Sequence, residues 1–201
     1  MMIDIRIMAH PSRRENVMKT LSALNLTEEV VTWDDREQGG DAMYTAKKAW
    51  NTPMPEGCTH RLVLQDDIEL CDNFLEIVNQ VAEKHPSEVV SLFHCEEYPK
   101  HMKYVRTGRL WGCAVMIPAI LVPACWEYIE TIPELPMFKK VADKIMPHDN
   151  DCIMIWATNN NIPIINTVPS LVQHIGDDSL VGAQEKRVAT DFIKSPSVIG
   201  W

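Results

Sequence analysis

Arg61-Leu-Val-Leu-Gln-Asp-Asp-Ile-Glu-Leu-Cys-Asp-Asn-Phe74 joins a short apolar run to an acidic pair and then to the start of an amphipathic segment. Leu62, Val63 and Leu64 read as a buried strand that runs straight into Gln65-Asp66-Asp67. Two adjacent carboxylates repel one another and cannot be buried bare. A hard divalent cation relieves that repulsion, because carboxylate oxygens are its preferred ligands. An acidic pair at the carboxyl end of a strand also sits where open α/β sheets place their ligands. Further on, Asp72 reads as the cap of a helix whose apolar face is Phe74, Ile77, Val78 and Val81. Capping accounts for Asp72. It leaves Asp66 and Asp67 to a metal or ligand site.

Outward from this stretch, strands and helices alternate. Ile3 to Met8 reads as a strand, and Val17, Leu21 and Leu24 as one face of a helix opened by a Ser12/Glu15 capping box. Val30 to Trp33 is a second strand, closed by Asp34-Asp35. Gly39-Gly40 then breaks the chain before a helix carrying Ala42, Ala46, Ala49 and Trp50. Downstream, Glu88–Phe93 and Gly112–Ile117 read as strands, with a polar, basic loop from His94 to Arg109 between them. A helix follows with Cys125, Trp126 and Ile129, and another with Ile153, Trp156 and Ala157. Ile162–Val168 is the last strand. Such alternation predicts a single α/β, Rossmann-like domain, with a mainly parallel central sheet and helices on both faces. Its expected division is a nucleotide-binding half over 1–85, an acceptor half over 86–181, and a tail or lid over 182–201 ending in an exposed Trp201.

Composition narrows the class. At 201 residues, 46% hydrophobic and 23% charged, the chain is long enough for one large domain and ordinary for a globular protein. A net charge of −9 argues against a broad nucleic-acid-binding face. The six cysteines show neither C-x-x-C nor His/Cys zinc spacing, so free thiols in a reducing compartment are expected. No signal-peptide pattern opens the chain, and no apolar run approaches the ~20 residues of a membrane span. A cytoplasmic protein is expected.

Two segments are similar to small GT-A-type, nucleotide-sugar-dependent glycosyltransferases, above all the lipopolysaccharide-type enzymes of family 25. Leu62 to Phe74 resembles their strand ending in an acidic motif. Val168-Pro-Ser-Leu-Val-Gln-His-Ile-Gly-Asp-Asp-Ser179 resembles the segment whose histidine often completes the metal site. Gln65 departs from the acidic residue usual at its place. The resemblance implies a GT-A-like fold and a Mn²⁺ or Mg²⁺ ion on Asp67, with His174 as a further ligand. Asp66 then holds the ribose or a metal-bound water.

The chemistry such a site needs, read onto the residues, distributes the remaining roles. Donor binding falls to Pro11, Arg13 and Arg14 at a helix N-terminus, where anions are favoured. Trp33, Asp34 and Asp35 are set against the base. Lys47 or Lys48 is set against base or phosphates, and Ser179 against a phosphate. Asp149 is explained cheaply as a helix cap; Asp151, or Asp149 itself, is the candidate base for an inverting transfer. Trp111 and Gly112 are the candidate acceptor surface, by stacking and close backbone approach.

The expected reaction is transfer from a nucleotide-diphospho-sugar, UDP-sugar favoured, to a hydroxyl of a glycan or of a hydroxylated base in DNA. The basic loop with Lys100, Lys103, Arg106 and Arg109, and Tyr104 for stacking, suits the DNA acceptor. Two alternatives stand beside it: a metal-dependent nucleotidyltransferase or phosphohydrolase, and a non-catalytic nucleotide-binding module. No G-x-x-x-x-G-K-[ST] loop supports the former. Gln65 keeps the latter open.

Overall fold

The computed structural model describes residues 2–36, 42–99, 101–131, 148–176, 187–198 and 201. Gly39-Gly40, Lys100 and Asp177-Asp178-Ser179 lie outside the described residues. Seven strands form the main sheet: β1 (Ile3–Ala9), β2 (Val31–Trp33), β3 (His60–Gln65), β5 (Val89–Ser91), β6 (Tyr104–Thr107), β7 (Ala114–Pro118) and β8 (Ile164–Thr167). Their order is β2-β1-β3-β7-β5-β8-β6. β2, β1 and β3 are mutually parallel, as are β5 and β8, while β7 and β6 run antiparallel to their neighbours. The chain is therefore α/β with a mixed central sheet.

Helices cover both faces. β-Strand alternation sends Ile5, Ile7, Leu62 and Leu64 to one side, where α1 (Arg14–Leu24) and α3 (Phe74–Lys84) pack. Val63, Val115 and Ile117 face the other side, under α2 (Ala42–Asn51), α4 (Val122–Thr131) and α5 (Asp149–Asn159). Among the described residues, no helix is long and apolar enough to cross a membrane. All six cysteines are free, and Cys71, Cys113, Cys125 and Cys152 are buried.

Several local expectations are corrected, each by the partner a side chain takes or by backbone geometry. A 3₁₀ turn, Pro11–Arg13, precedes α1. The Ser12 hydroxyl sits 2.8 Å from His10 Nδ1 and Glu15 pairs with Lys19, so no capping box forms. Asn73, in the left-handed conformation at φ 56°, stands at the N-cap of α3 in place of Asp72. Asp72 instead accepts from the Ser195 hydroxyl, and its N–H donates to Lys194 O at 2.7 Å. The segment read as a basic loop contains the edge strand β6. Tyr104 on that strand packs edge-on against His85 and Trp201.

A second, two-stranded ribbon was not expected: β4 (Ile68–Leu70) pairs antiparallel with β9 (Val172–His174). The described part of the C-terminal segment lies against it. Gln173 Nε2 donates to Ala189 O, and Lys194 Nζ to Leu70 O. Trp201, expected to be exposed, is 2% exposed and belongs to the same core cluster as α1 and α3. Asp191 holds the same segment from within, its carboxylate 3.0 Å from His94 Nε2 and accepting the Ser170 N–H at 3.1 Å.

Candidate functional site

Parallel register aligns the carboxyl ends of β1, β2 and β3. Met8 pairs with Gln65 and Ala9 with Trp33, so His10, Asp34 and Asp66 emerge together. The His10 N–H donates to Asp66 Oδ2 at 2.6 Å, and the Asp34 N–H to Ala9 O at 2.7 Å. From the other direction, the β4–β9 ribbon sets Ile68 opposite His174, and the Ile175 N–H donates to Asp67 O at 2.8 Å. That pairing is why residues 107 apart in sequence meet: His174 Nε2 lies 3.1 Å from Asp67 Oδ2.

Asp66 and Asp67 are each 6% exposed. Their charge is opposed by Arg13, whose Nη1 donates to Asp66 Oδ1 at 2.9 Å and to Asp67 Oδ2 at 2.5 Å. The two carboxylates are driven apart electrostatically. Burial pushes Asp66 above the usual carboxylate range, against the His10 N–H and Arg13. Burial also pushes Asp67 up, but the hydrogen bond and charge of His174, with the charge of Arg13, bring it below that range. Of the two, Asp67 has the charged form favoured by its neighbours and Asp66 the charged form opposed by its burial.

The residues that could hold a divalent ion are therefore Asp67 and His174. Asp67 Oδ1 is buried without a hydrogen-bond partner, and so is His174 Nδ1. Among the described residues, no group of three His, Cys, Asp or Glu side chains is disposed as a metal cage. A carboxylate with an imidazole fits an ion that takes its other ligands from water and phosphate oxygens, which is how Mg²⁺ is usually bound. Gly176 makes the approach possible. A Cβ there would lie 2.8 Å from Asp67 Oδ2 and 3.1 Å from its Cβ. Gly176→Ala is expected to cost about 1–3 kcal/mol of stability through overpacking. Gly108→Ala, with nothing within 4 Å of the new carbon, is the neutral control. Urea denaturation of the two variants checks the difference.

The other donor-side residues divide. Pro11 is exposed at the start of the 3₁₀ turn. Arg14 leans away from the acids: its guanidinium lies 5.3 Å over the Trp33 ring and pairs with Glu28. Asp34 is buried and held by Arg36 in a two-point pair at 3.0 and 2.9 Å, which lowers its pKa. Asp35 is exposed and bonds Tyr44 and Lys48. Lys47 pairs instead with Glu130 on α4. An open cavity of about 420 Å³, lined by Trp33, Lys48 and Asn51 among others, lies along edge strand β2. Strand β1 separates it from the acid pair.

On the acceptor side, Gly112 approaches the start of α5. Its missing Cβ would meet Asn150 Oδ1 at 2.9 Å and Gln65 Nε2 at 3.3 Å. Asn150 also donates to Leu110 O at 3.0 Å. Asn150 was not singled out in the sequence, yet it ties α5 to the segment before β7 through Leu110 O. Asp149 is turned inward, 2% exposed, accepting from Trp50 Nε1 at 3.1 Å, and burial raises its pKa. His148, not Asp149, occupies the N-cap position. Asp151 is partly exposed. Trp111 donates to Glu96 at 2.8 Å, and the Arg187 guanidinium lies 5.2 Å over its ring. The His10 N–H was likewise missed, since a backbone donor leaves no side-chain signature. Compared with known proteins, the chain matches no protein-family model and no curated protein.

Proposed function

We propose that this chain is a metal-dependent, GT-A-type glycosyltransferase that moves a sugar from a nucleotide-diphospho-sugar, with UDP favoured, to a hydroxyl of a glycan or of a hydroxylated base in DNA. The observation that carries this reading is the buried Asp66–Asp67 pair at the carboxyl end of β3, with His174 3.1 Å from Asp67. Open α/β sheets bind ligands at that edge. A Mn²⁺ or Mg²⁺ ion on Asp67 and His174 would supply the Lewis-acid neutralisation that makes a nucleoside diphosphate a competent leaving group. Asp66, hydrogen-bonded to the His10 N–H, fixes the loop that enters α1. Trp33 and Asp34 stand at the end of β2 for the base. Asp151 is the group left to accept the acceptor's proton, because Asp149 is engaged with Trp50 in the interior. With a separate base, the favoured outcome is inversion.

Released nucleoside diphosphate is the readout. With a panel of UDP-sugars and Mn²⁺, release that is stimulated by a glycan or by hydroxymethylated DNA, and abolished by chelation, is the expected result. Free sugar or phosphate formed regardless of acceptor points instead to a hydrolase. One observation favours a second reading: Arg13 already pairs with both acids. A permanent guanidinium there describes a nucleotide-binding module with no need of metal.

A further inference from the structure

The cation already seated between the two aspartates is a side chain. One Arg13 nitrogen serves both, at 2.9 Å from Asp66 Oδ1 and 2.5 Å from Asp67 Oδ2. Asp67 Oδ2 is also the atom that His174 Nε2 faces at 3.1 Å. An ion ligated by Asp67 Oδ2 and His174 would therefore share its carboxylate oxygen with the guanidinium. Two cations on one oxygen repel, so an arriving ion weakens the guanidinium's hold on it.

We propose that Arg13 is an exchangeable stand-in for the divalent ion: the ion takes Asp67 and His174, and the displaced guanidinium takes the diphosphate of the donor, so that metal and diphosphate enter together. This rests on the metal-dependent reading above and adds an order and a coupling to it. Charge is the first reason. Arg13 brings a single positive charge to two carboxylates, each 6% exposed, and Asp67 Oδ1 is left buried without a partner. A divalent ion completes that compensation. Position is the second. Arg13 stands at the N-cap of α1 with no side-chain capping bond, at the end of a helix where its charge is opposed by the macrodipole and an anion is favoured. Once off the acids, the guanidinium is already at the phosphate-attracting end, and it can grip two phosphate oxygens at once. Reciprocity follows: if the ion raises the affinity for diphosphate, the diphosphate raises the affinity for the ion by the same factor.

The test uses Mn²⁺ alone, with free ion measured by electron paramagnetic resonance, on wild type, Arg13→Ala and Arg13→Gln. Both variants are expected to bind Mn²⁺ at least about tenfold more tightly, a difference of ~1.4 kcal/mol. Added UDP is expected to tighten Mn²⁺ binding in wild type, and to do so less in the variants. Arg13→Ala removes the guanidinium from two buried carboxylates, so its folding is expected to depend on the ion; Arg13→Gln keeps a neutral donor, and its melting temperature is expected to rise more steeply with Mn²⁺ than that of wild type. Equal or weaker Mn²⁺ binding in the variants overturns the exchange while leaving the metal site standing. Failure of wild type and both variants to bind Mn²⁺ overturns the metal-dependent reading and the exchange with it.

Discussion

Asp151→Asn is expected to lower kcat by about 10²–10⁴-fold, the range over which a positioned general base contributes, with donor KM and melting temperature little changed. The reasoning is one of access. Two acids open α5, and a base must reach an acceptor hydroxyl. Asp149 is 2% exposed and receives the Trp50 indole N–H, so its carboxyl belongs to the seam between α2 and α5. Asp151 is the partly exposed one, and its neighbour Asn150 packs at Gly112 beside Gln65, one residue before the acid pair. Asp149→Asn, by contrast, is expected to act on stability rather than on turnover. Initial rates at saturating donor separate the two. An Asp151→Asn enzyme with half or more of the wild-type rate would place the base elsewhere.

Arg61→Ala is expected to cost about 3–5 kcal/mol, the usual penalty for removing one partner of a buried ion pair. Arg61 is fully buried at the start of β3. The parallel register sets it beside Asp4, and its Nε donates to Asp4 Oδ2 at 2.7 Å. It also donates to the carbonyls of Trp50 and Ala49, which end α2. Truncation orphans two carbonyls and leaves Asp4 with Arg6 alone, 3.0 Å away. In urea the transition midpoint should fall with the slope unchanged, because the loss is native-state stability rather than compactness. A loss under about 1 kcal/mol would mean that Arg6 compensates Asp4 unaided.

These two sites mark where the sequence is legible and where it is not. Apolar runs such as Leu62-Val63-Leu64, and helical stripes such as Ile77, Val78 and Val81, announce themselves because burial imposes a period on them. The acid pair was visible for a related reason: two adjacent carboxylates at a strand end demand a partner. What the partner is was not visible. Arg13 was assigned to phosphates, and its hold on Asp66 and Asp67 depends on β1 and β3 lying side by side. The same holds for Arg61, whose partner Asp4 is adjacent only through strand register. Ser12, Asp72 and Asp149 each carry a credible local capping signal, and each side chain is engaged elsewhere: with His10, with Ser195 and with Trp50. Three-residue strands such as β4 and β9 are too short for periodicity, so the ribbon was missed, and only the resemblance set His174 near Asp67.

Thermal stabilisation by nucleoside diphosphates and nucleotide-sugars, each with and without Mn²⁺, on wild type and Asp67→Ala tests the metal-dependent donor site most directly. A ligand that binds only the native state stabilises it by ~2.7 kcal/mol at 100-fold saturation, so a donor is visible before any acceptor is known. The expected result is a shift with one nucleoside diphosphate and its sugar conjugate that requires both Mn²⁺ and Asp67. A shift indifferent to metal and to Asp67 would contradict it and leave a nucleotide-binding module with Arg13 on its acids.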